Sequence, residues 1–265
     1  AAGEKLGAYS LSEPQSGSDA SNMNTFARKD GDHYIINGTK NWVTNGITSD
    51  IVTLFCLTEK GAGYKGISAF VVEKGTQGLS MGKKENKLGI RASDTCELYF
   101  EDCKIPVENL IGEEGQGFKI AMKALGGGRI GIAAQALGLA RAALDASVSY
   151  AKERKQFGKP IGEFGAIQNK LANMATEIDA ARMLIWRAAK LKDDGKKYIR
   201  ESSMAKLYAS STAMKAATEC VQIHGGYGYM QEYGVERLMR DAKITQIYEG
   251  TSEIQQLVIG RDLLK

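Results

Sequence analysis

The spacing of apolar residues changes near residue 112, and this change constrains the fold of the 265-residue chain more than any other feature. Before it, short β-branched runs alternate with turns rich in glycine and lysine, a pattern typical of strands. After it, apolar residues recur at steps of three and four, which defines one face of a helix. We therefore predict an α+β protein, with a β-barrel or sandwich domain over residues 1–112 and a C-terminal antiparallel four-helix-type bundle over residues 113–265.

The first part contains several predicted strands, at residues 6–11, 50–58, 66–73 and 95–100, and the strand pattern ends at Pro106. Between the apolar residues 34–36 and 42–44 lies Asn37-Gly38. Because Asn and Gly tolerate positive φ, this dipeptide predicts a tight hairpin turn.

Two apolar stripes of the second part predict long helices with these residues in the core: Ile167, Leu171, Met174, Ile178, Ala181, Ile185 and Ala188 in one, and Met204, Leu207, Ser211, Met214, Thr218 and Val221 in the other. Residues 133–151 are rich in Ala and Leu and are also predicted to be helical. Gly126, Gly127 and Gly128 each cost about 1 kcal/mol relative to Ala in a helix, so we expect a kink or a break there. The segment Thr251-Ser252-Glu253 is the predicted cap of the last helix.

Composition excludes several classes of protein. The net charge is +4 with scattered basic residues, which does not predict nucleic-acid binding. No stretch approaches the ~18 consecutive apolar residues of a membrane span. Four cysteines without paired spacing and only two histidines argue against a metal site or a disulfide framework, and favour a reducing compartment.

Two segments of the first part are candidate ligand sites. Residues 12–19 (SEPQSGSD) form a polar loop whose hydroxyls and amides suit an anion or the edge of a flavin, although an ordinary capped turn has the same composition. Trp42 and Thr44 are two positions apart on a strand and therefore share a face, which suits a planar heterocycle or, alternatively, a core tryptophan.

Three segments of the second part are further candidates. Gly225 and Gly226, after a helix, permit close approach of a ligand, but they also suit a plain helix C-cap. Arg154, at a helix end, suits a diphosphate or the helix dipole. Glu249 lies between Tyr248 and Gly250, where partial burial would raise its pKa and prepare it to accept a proton, although most isolated glutamates are solvated surface groups.

Together these segments resemble the acyl-CoA dehydrogenase family, most closely its short-chain, butyryl-CoA members. Five separated motifs match in order and spacing over the whole chain: SEPQSGSD at 12–19, WVTNG at 42–46, RKQFG at 154–158, QIHGGYGYMQE at 222–232 with Arg237 and Asp241, and YEGT at 248–251.

The resemblance implies α,β-dehydrogenation of an acyl-CoA thioester, with FAD as cofactor. Glu249 is then the catalytic base that removes the α-proton, and the β-hydrogen leaves as hydride to flavin N5. The backbone amide of Glu249 and a flavin hydroxyl are expected to bind the thioester carbonyl. Some relatives carry the base just before the equivalent of Arg129; that position is Gly128 here, which leaves Glu249 without a rival.

The same resemblance assigns binding roles residue by residue. The residues expected to contact FAD are Tyr9, Leu11, Ser12, Ser18, Trp42, Thr44, Arg154, Phe157, Gln222, Gly225, Gly226, Thr251 and Glu253. Those expected to contact the substrate are Ser18, Arg129, Tyr248 and Gly250, with Arg129 on the CoA part. The FAD is expected to be shared between subunits of a homotetramer built as a dimer of dimers. The residues expected to contact the FAD of a neighbouring subunit are Arg154, Phe157, Gln222, Gly225 and Gly226. Electrons are expected to pass to an electron-transferring flavoprotein. The expected location is the bacterial cytoplasm or the mitochondrial matrix.

The chain departs from the family pattern in three ways. The family opens with a helical N-terminal domain, whereas this sequence starts at the β domain, so we expect either a fragment or a minimal variant. Gly126 replaces an Asp that binds substrate, and Gly165 replaces a Gln that helps to bind FAD. These departures leave two other hypotheses open: a non-catalytic flavin- or CoA-binding remnant or assembly subunit, and an acyl-CoA oxidase.

Overall fold

The computed structural model describes residues 2–265. The chain forms two compact units: residues up to Lys87 together with Arg91–Ala124, and Leu88–Ile90 together with Leu125–Lys265. The domain boundary between residues 112 and 113 stays a prediction.

The first unit is built on one mixed sheet, as predicted for a β domain. Its strands are β1 (Gly7–Ser10), β2 (Phe26–Asp30), β3 (His33–Thr44), β4 (Ile51–Leu57), β5 (Ile67–Glu73), β6 (Leu79–Met81) and β7 (Thr95–Pro106). The strand order is β1-β4-β2-β3-β7-β6, with β5 also paired to β4. Strand β1 runs parallel to β4, and β3 pairs antiparallel with both β2 and β7. Tyr34, Phe70 and Phe100 are among the largest buried side chains, and all three belong to one hydrophobic core on the sheet.

The predicted hairpin turn at Asn37-Gly38 is wrong, because β3 continues through it without reversing. The reversal lies earlier, at Gly31 and Asp32, where Asp30 pairs with His33. Gly38 instead lies at a β-bulge, with φ 148°. A Cβ there would lie 2.4 Å from Thr25 Oγ1, so the glycine serves a close approach between chain segments.

The second unit is helical, as predicted. Helix α1 spans Gly117–Glu153, and its residues from Leu125 onward belong to this unit. The other helices are α2 (Gly165–Asp193), α3 (Ile199–His224), α4 (Val235–Ile244) and α5 (Ser252–Leu263). A short hairpin of β8 (Lys155–Gln156) and β9 (Lys159–Pro160) follows α1. Thr251 caps α5, since its side chain accepts a hydrogen bond from the amide of Ile254. No helix within residues 2–265 is long and apolar enough to cross a membrane.

The two predicted stripes differ in burial. In α2, the members from Met174 to Ala188 are buried as predicted. In α3, the predicted stripe from Met204 to Val221 is only half-buried or exposed, and the buried face carries the small residues Ala205, Ala209, Ala213 and Ala217. Alanine allows α3 to pack closely against its neighbours, so helix packing rather than side-chain size selects the core face.

Helix α1 is unbroken across Gly126, Gly127 and Gly128, so the predicted break is wrong. A Cβ at Gly126 would lie 2.7 Å from Ile199 Cδ1, which shows that another side chain fills the space over this glycine. Packing of this kind offsets the low helix propensity of glycine. A bend that keeps the helix intact stays a prediction.

Candidate active site

The predicted base, Glu249, lies in the turn between α4 and α5, within the helical unit. Its φ is 55°, and Gly250 follows with φ 91°. Glu is an uncommon residue at positive φ, so the surrounding structure must hold this turn in place. Among residues 2–265, neither the carboxylate nor the amide N–H of Glu249 has a hydrogen-bond partner. Both groups are therefore free to meet a ligand.

The carboxyl group of Glu249 lies against the glycine face of α1. A Cβ at Gly128 would lie 2.6 Å from Glu249 Oε2 and 3.0 Å from its Cδ. Any side chain at position 128 would displace this carboxylate, so the absence of a side chain at Gly128 leaves the space that Glu249 occupies.

Burial raises the pKa of Glu249 above its ordinary value, while the positive charges of Arg129 and Lys206 lower it. Burial is the largest of these effects. A carboxylate in this setting is a stronger base than one in water, and the two cations keep it ionisable.

Arg129 follows Gly128 on α1 and is only 7% exposed. Its Nη1 donates a hydrogen bond of 3.2 Å to Ser203 Oγ on α3, and within residues 2–265 its Nε has no partner. Burial lowers the pKa of Arg129, and Glu249 raises it. A buried guanidinium with an unused donor suits recognition of an anionic or carbonyl group, although its contact with CoA stays a prediction.

Two fully buried side chains hold the turn, and sequence reasoning missed both. Lys206 Nζ donates to the carbonyl oxygen of Gly250 at 2.6 Å. Gln255 Nε2 donates to the same oxygen at 2.9 Å and to the carbonyl of Glu249 at 3.1 Å. A lysine among alanines on α3 is a signal that could have revealed Lys206, because unpaired lysines are rarely buried.

The neighbours of Glu249 along the chain lie at the same place. The hydroxyl of Tyr248 donates a hydrogen bond to Oε1 of Gln135 on α1, a residue that sequence reasoning also missed. A Cβ added at Gly250 would lie 2.6 Å from Gln255 Nε2. Thr251 is half-buried and Glu253 is exposed at the start of α5. The substrate and FAD roles of these residues stay predictions.

In the β unit, a buried ion pair anchors the polar loop at residues 12–19. Lys40 Nζ donates to Glu13 Oε1 at 2.8 Å and to the carbonyl of Leu11 at 2.9 Å. The same carboxylate accepts the amides of Asn24 and Thr25. Burial, opposed by the charge of Glu13, lowers the pKa of Lys40. This loop is thus fixed in shape by charge-assisted hydrogen bonds.

The predicted flavin contacts of the β unit differ in accessibility. Leu11 is buried, Tyr9 and Ser12 are half-buried, and Ser18 and Thr44 are exposed. Trp42 is 64% exposed and has φ 58° at a bulge of β3. Trp42 and Thr44 are both exposed while Val43 between them is buried, so the alternative of a core tryptophan is wrong.

The helical unit contains a cavity of about 400 Å³ that several predicted FAD contacts line: Arg154, Gly225 and Gly226. The guanidinium of Arg154 lies over the ring of Tyr227, 5.3 Å from its centroid. Gly225 has φ 62° and caps α3, so the helix C-cap interpretation is correct and does not exclude a binding role. Gln222, about one helical turn before Gly225, is exposed.

Phe157 lies at the tip of the β8–β9 hairpin and is 93% exposed. Its φ of 50°, followed by 80° at Gly158, belongs to a tight two-residue turn. Its predicted contact with the FAD of a neighbouring subunit would cover an apolar ring that otherwise faces water.

The residues present fit an FAD cofactor. An exposed indole beside a hydroxyl suits a planar ring, and a cavity with a guanidinium and glycine backbone suits a diphosphate. Within residues 2–265 there is no group of three or more His, Cys, Asp or Glu side chains that could hold a metal ion. All four cysteines are buried and free.

Gly126 and Gly165, which the resemblance places at binding positions of the family, have different surroundings. The space above Gly126 is occupied by Ile199, with Tyr198 Oη 3.3 Å from an added Cβ. At Gly165, the first residue of α2, no atom lies within 4 Å of an added Cβ. Position 165 therefore has room for a side chain, whereas position 126 requires a neighbour to move.

Comparison with known proteins assigns both units to one family. Residues 8–103 match the acyl-CoA dehydrogenase middle domain, and residues 115–264 match the acyl-CoA dehydrogenase C-terminal domain. The chain is 54% identical to a short-chain specific acyl-CoA dehydrogenase of Clostridium acetobutylicum, over 100% of this chain and 70% of that protein. It is also 54% identical to the mitochondrial short-chain specific acyl-CoA dehydrogenase of Mus musculus, over 99% of this chain and 64% of that protein.

Solved structures agree. Butyryl-CoA dehydrogenase from Megasphaera elsdenii superposes with a TM-score of 0.97 at 55% identity, over 98% of this chain and 68% of that one. A chain from a structure of the electron transferring flavoprotein of Acidaminococcus fermentans superposes with a TM-score of 0.98 at 54% identity, over 98% of this chain and 69% of that one. The chain therefore belongs to the acyl-CoA dehydrogenase family of flavoprotein oxidoreductases.

Proposed function

We propose that this protein catalyses the FAD-dependent α,β-dehydrogenation of a short-chain acyl-CoA to the trans-2-enoyl-CoA, with Glu249 as the base. The observation that carries the proposal is the free, partly buried carboxylate of Glu249 against Gly128, with its own amide N–H also unpartnered among residues 2–265. The 54% identity to short-chain specific relatives supports the choice of substrate class.

The two free groups of Glu249 have complementary tasks. Its carboxylate accepts the α-proton of the thioester, while its N–H donates to the thioester carbonyl and stabilises the enolate-like charge that develops. A substrate that excludes water from the turn raises the pKa of the base further, which strengthens it. When bound, FAD supplies the acceptor for the β-hydrogen as hydride.

The other predicted residues bind and orient. The flavin ring is held by Trp42, Thr44, Tyr9, Leu11, Ser12 and Ser18, and the cofactor is also contacted by Thr251 and Glu253. The FAD of a neighbouring subunit is contacted by Arg154, Phe157, Gln222, Gly225 and Gly226. Arg129 supplies a fixed charge for the CoA part, and Tyr248 and Gly250 line the reacting end of the acyl chain.

We further propose a homotetramer, a dimer of dimers, that passes electrons to an electron-transferring flavoprotein. A structural neighbour from the electron transferring flavoprotein of Acidaminococcus fermentans supports this partner class. Bacterial and mitochondrial relatives support the bacterial cytoplasm or the mitochondrial matrix as location.

The test is the visible spectrum of the full chain loaded with FAD, before and after anaerobic addition of butyryl-CoA. We expect the flavin absorbance to bleach, and Glu249→Gln to slow bleaching by about 10²- to 10⁴-fold. The matched control is Glu101→Gln, which removes an exposed carboxylate on β7 and should bleach at the parental rate.

The same measurement separates the alternatives. Folded protein that takes up FAD but never bleaches would favour the non-catalytic remnant. Bleached protein that produces peroxide in air at the rate of substrate loss would favour an acyl-CoA oxidase. Bleaching of Glu249→Gln at the parental rate would overturn the assignment of the base.

A further inference from the structure

Two buried side chains hold the turn that carries Glu249 by donating hydrogen bonds to its backbone carbonyl groups. The oxygen of Gly250 accepts hydrogen bonds from Lys206 Nζ at 2.6 Å and Gln255 Nε2 at 2.9 Å. Both donors are fully buried, and they belong to different helices, α3 and α5. Because Glu249 has a positive φ, releasing this carbonyl would allow its backbone to relax toward more favourable angles.

Lys206 is an unexpected residue in this place. Its side chain is 0% exposed on the alanine-rich buried face of α3, where an uncharged donor would cost less to bury. A charged ammonium that points at the backbone beside a catalytic carboxylate offers two effects at once: a hydrogen bond that sets geometry and a charge that favours the ionised base.

We propose that Lys206 is a positioning residue for Glu249, which anchors the Gly250 carbonyl and thereby aims the base and its amide N–H at the substrate. This inference rests on the proposed function, since it concerns how the same base is held.

Several charged groups bear on this arrangement, from three elements. Arg129 approaches from α1, Glu253 from α5, and Glu249 from the turn itself. Burial lowers the pKa of Lys206 to about 8, Arg129 lowers it too, and the two glutamates raise it. At neutral pH the ammonium is therefore mostly charged, and it lowers the pKa of Glu249.

The first test follows bleaching by butyryl-CoA across pH in three variants of the FAD-loaded chain. Lys206→Met should lower the maximal rate about tenfold and raise the apparent pKa of the rate by about one unit, since both the anchor and the charge are lost. The dissociation constant of butyryl-CoA should change less than about twofold. Lys206→Arg keeps the charge and should return the apparent pKa toward the parental value.

Gln255→Met separates geometry from charge. It removes the second donor to the Gly250 carbonyl but no charge, so the rate should fall without a shift in the apparent pKa. Lys215→Met is the matched control, because Lys215 lies on the same helix, is exposed, and pairs with Glu177. A parental pH profile and rate in Lys206→Met would overturn the proposal.

The second test does not depend on turnover. Urea unfolding of the parent, Lys206→Met, Glu249→Gln and the double variant forms a double-mutant cycle. At pH 7 the two sites should couple by about fivefold or more in the unfolding equilibrium constant, and the coupling should weaken at low pH, where Glu249 is protonated. Strict additivity at pH 7 would overturn the proposal even if every variant folds.

The two tests distinguish the two failures. If the parent never bleaches but the double-mutant cycle shows pH-dependent coupling, the proposed function fails. Lys206 would then still hold the turn in place and lower the pKa of Glu249. If the parent bleaches in a Glu249-dependent way and the cycle is additive with an unshifted pH profile, only the role of Lys206 fails.

Discussion

The carboxylate of Glu249 packs against the backbone of Gly128, where a Cβ would lie only 2.6 Å from Glu249 Oε2. The glycine that weakens α1 is thus the residue that leaves room for the base. Helix propensity favours alanine at position 128, whereas room for the Glu249 carboxylate requires glycine, and glycine is the residue present.

Gly128→Ala tests this relationship. The new methyl group should push the Glu249 carboxylate aside, which we expect to slow bleaching by butyryl-CoA about 10- to 100-fold. Stability to urea should not fall, because a carboxylate end can move and Ala favours the helix by about 1 kcal/mol. Gly131→Ala is the control, since nothing lies within 4 Å of its added Cβ. Equal loss of rate in both variants would contradict the steric explanation.

The raised pKa of Glu249 predicts a pH dependence of stability. The Glu249 carboxylate binds its proton more tightly in the folded state than in the unfolded state, where its pKa is near 4.5. The contribution of this group to stability is full below pH 4.5 and is lost as pH rises through the folded pKa. The free energy of unfolding of the parent should therefore decrease relative to Glu249→Gln as pH rises above 4.5, as measured by urea unfolding at a series of pH values.

Glu253→Gln provides the comparison for that series. Glu253 is exposed, and hydrogen bonding to its own backbone amide and to Thr251 lowers its pKa. Its replacement should show no such decrease of the parent relative to the variant. The prediction for Glu249 fails if the two series run parallel.

The buried pair of Lys40 and Glu13 predicts a large effect on stability. Lys40→Met leaves the Glu13 carboxylate buried without its cation, which should destabilise the fold by about 3–5 kcal/mol in urea. Adding Glu13→Gln should recover part of this loss, because the buried charge disappears. Lys29→Met, at an exposed position of β2, serves as the control. If Lys40→Met alone is as stable as the control variant, the ion pair does not contribute to the free energy of unfolding.

Gly165→Gln tests the empty position at the start of α2. We expect normal folding, because the added Cβ meets no atom within 4 Å. If the side chain makes the FAD contact that the family resemblance implies, the dissociation constant of FAD should fall about three- to tenfold, as one hydrogen bond predicts. Flavin fluorescence measures this constant, with Gly165→Ala as the control. Equal affinity in both variants would show that the contact does not form.

Local patterns predicted the class of each element well. The strands at Ile51–Leu57 and Ile67–Glu73, the helix at Gly165–Asp193 and the Thr251 cap all lie where periodicity and capping residues indicated. The turn at Asn37-Gly38 was misplaced because glycine there serves close packing against Thr25 rather than chain reversal. In α3 the larger apolar residues indicated a face that helix packing did not bury.

The sequence by itself determined that this is a two-part α+β chain, because periodicity is a local property. The family resemblance of its motifs singled out Glu249, between Tyr248 and Gly250, as the candidate base. The tertiary structure alone decided what surrounds that base. Gly128, Arg129 and Lys206 lie far from Glu249 along the chain, and only the packing of α1 and α3 against the turn brings them to it. The pKa of a carboxylate depends on the burial and charge of its spatial neighbours, which the order of residues does not display.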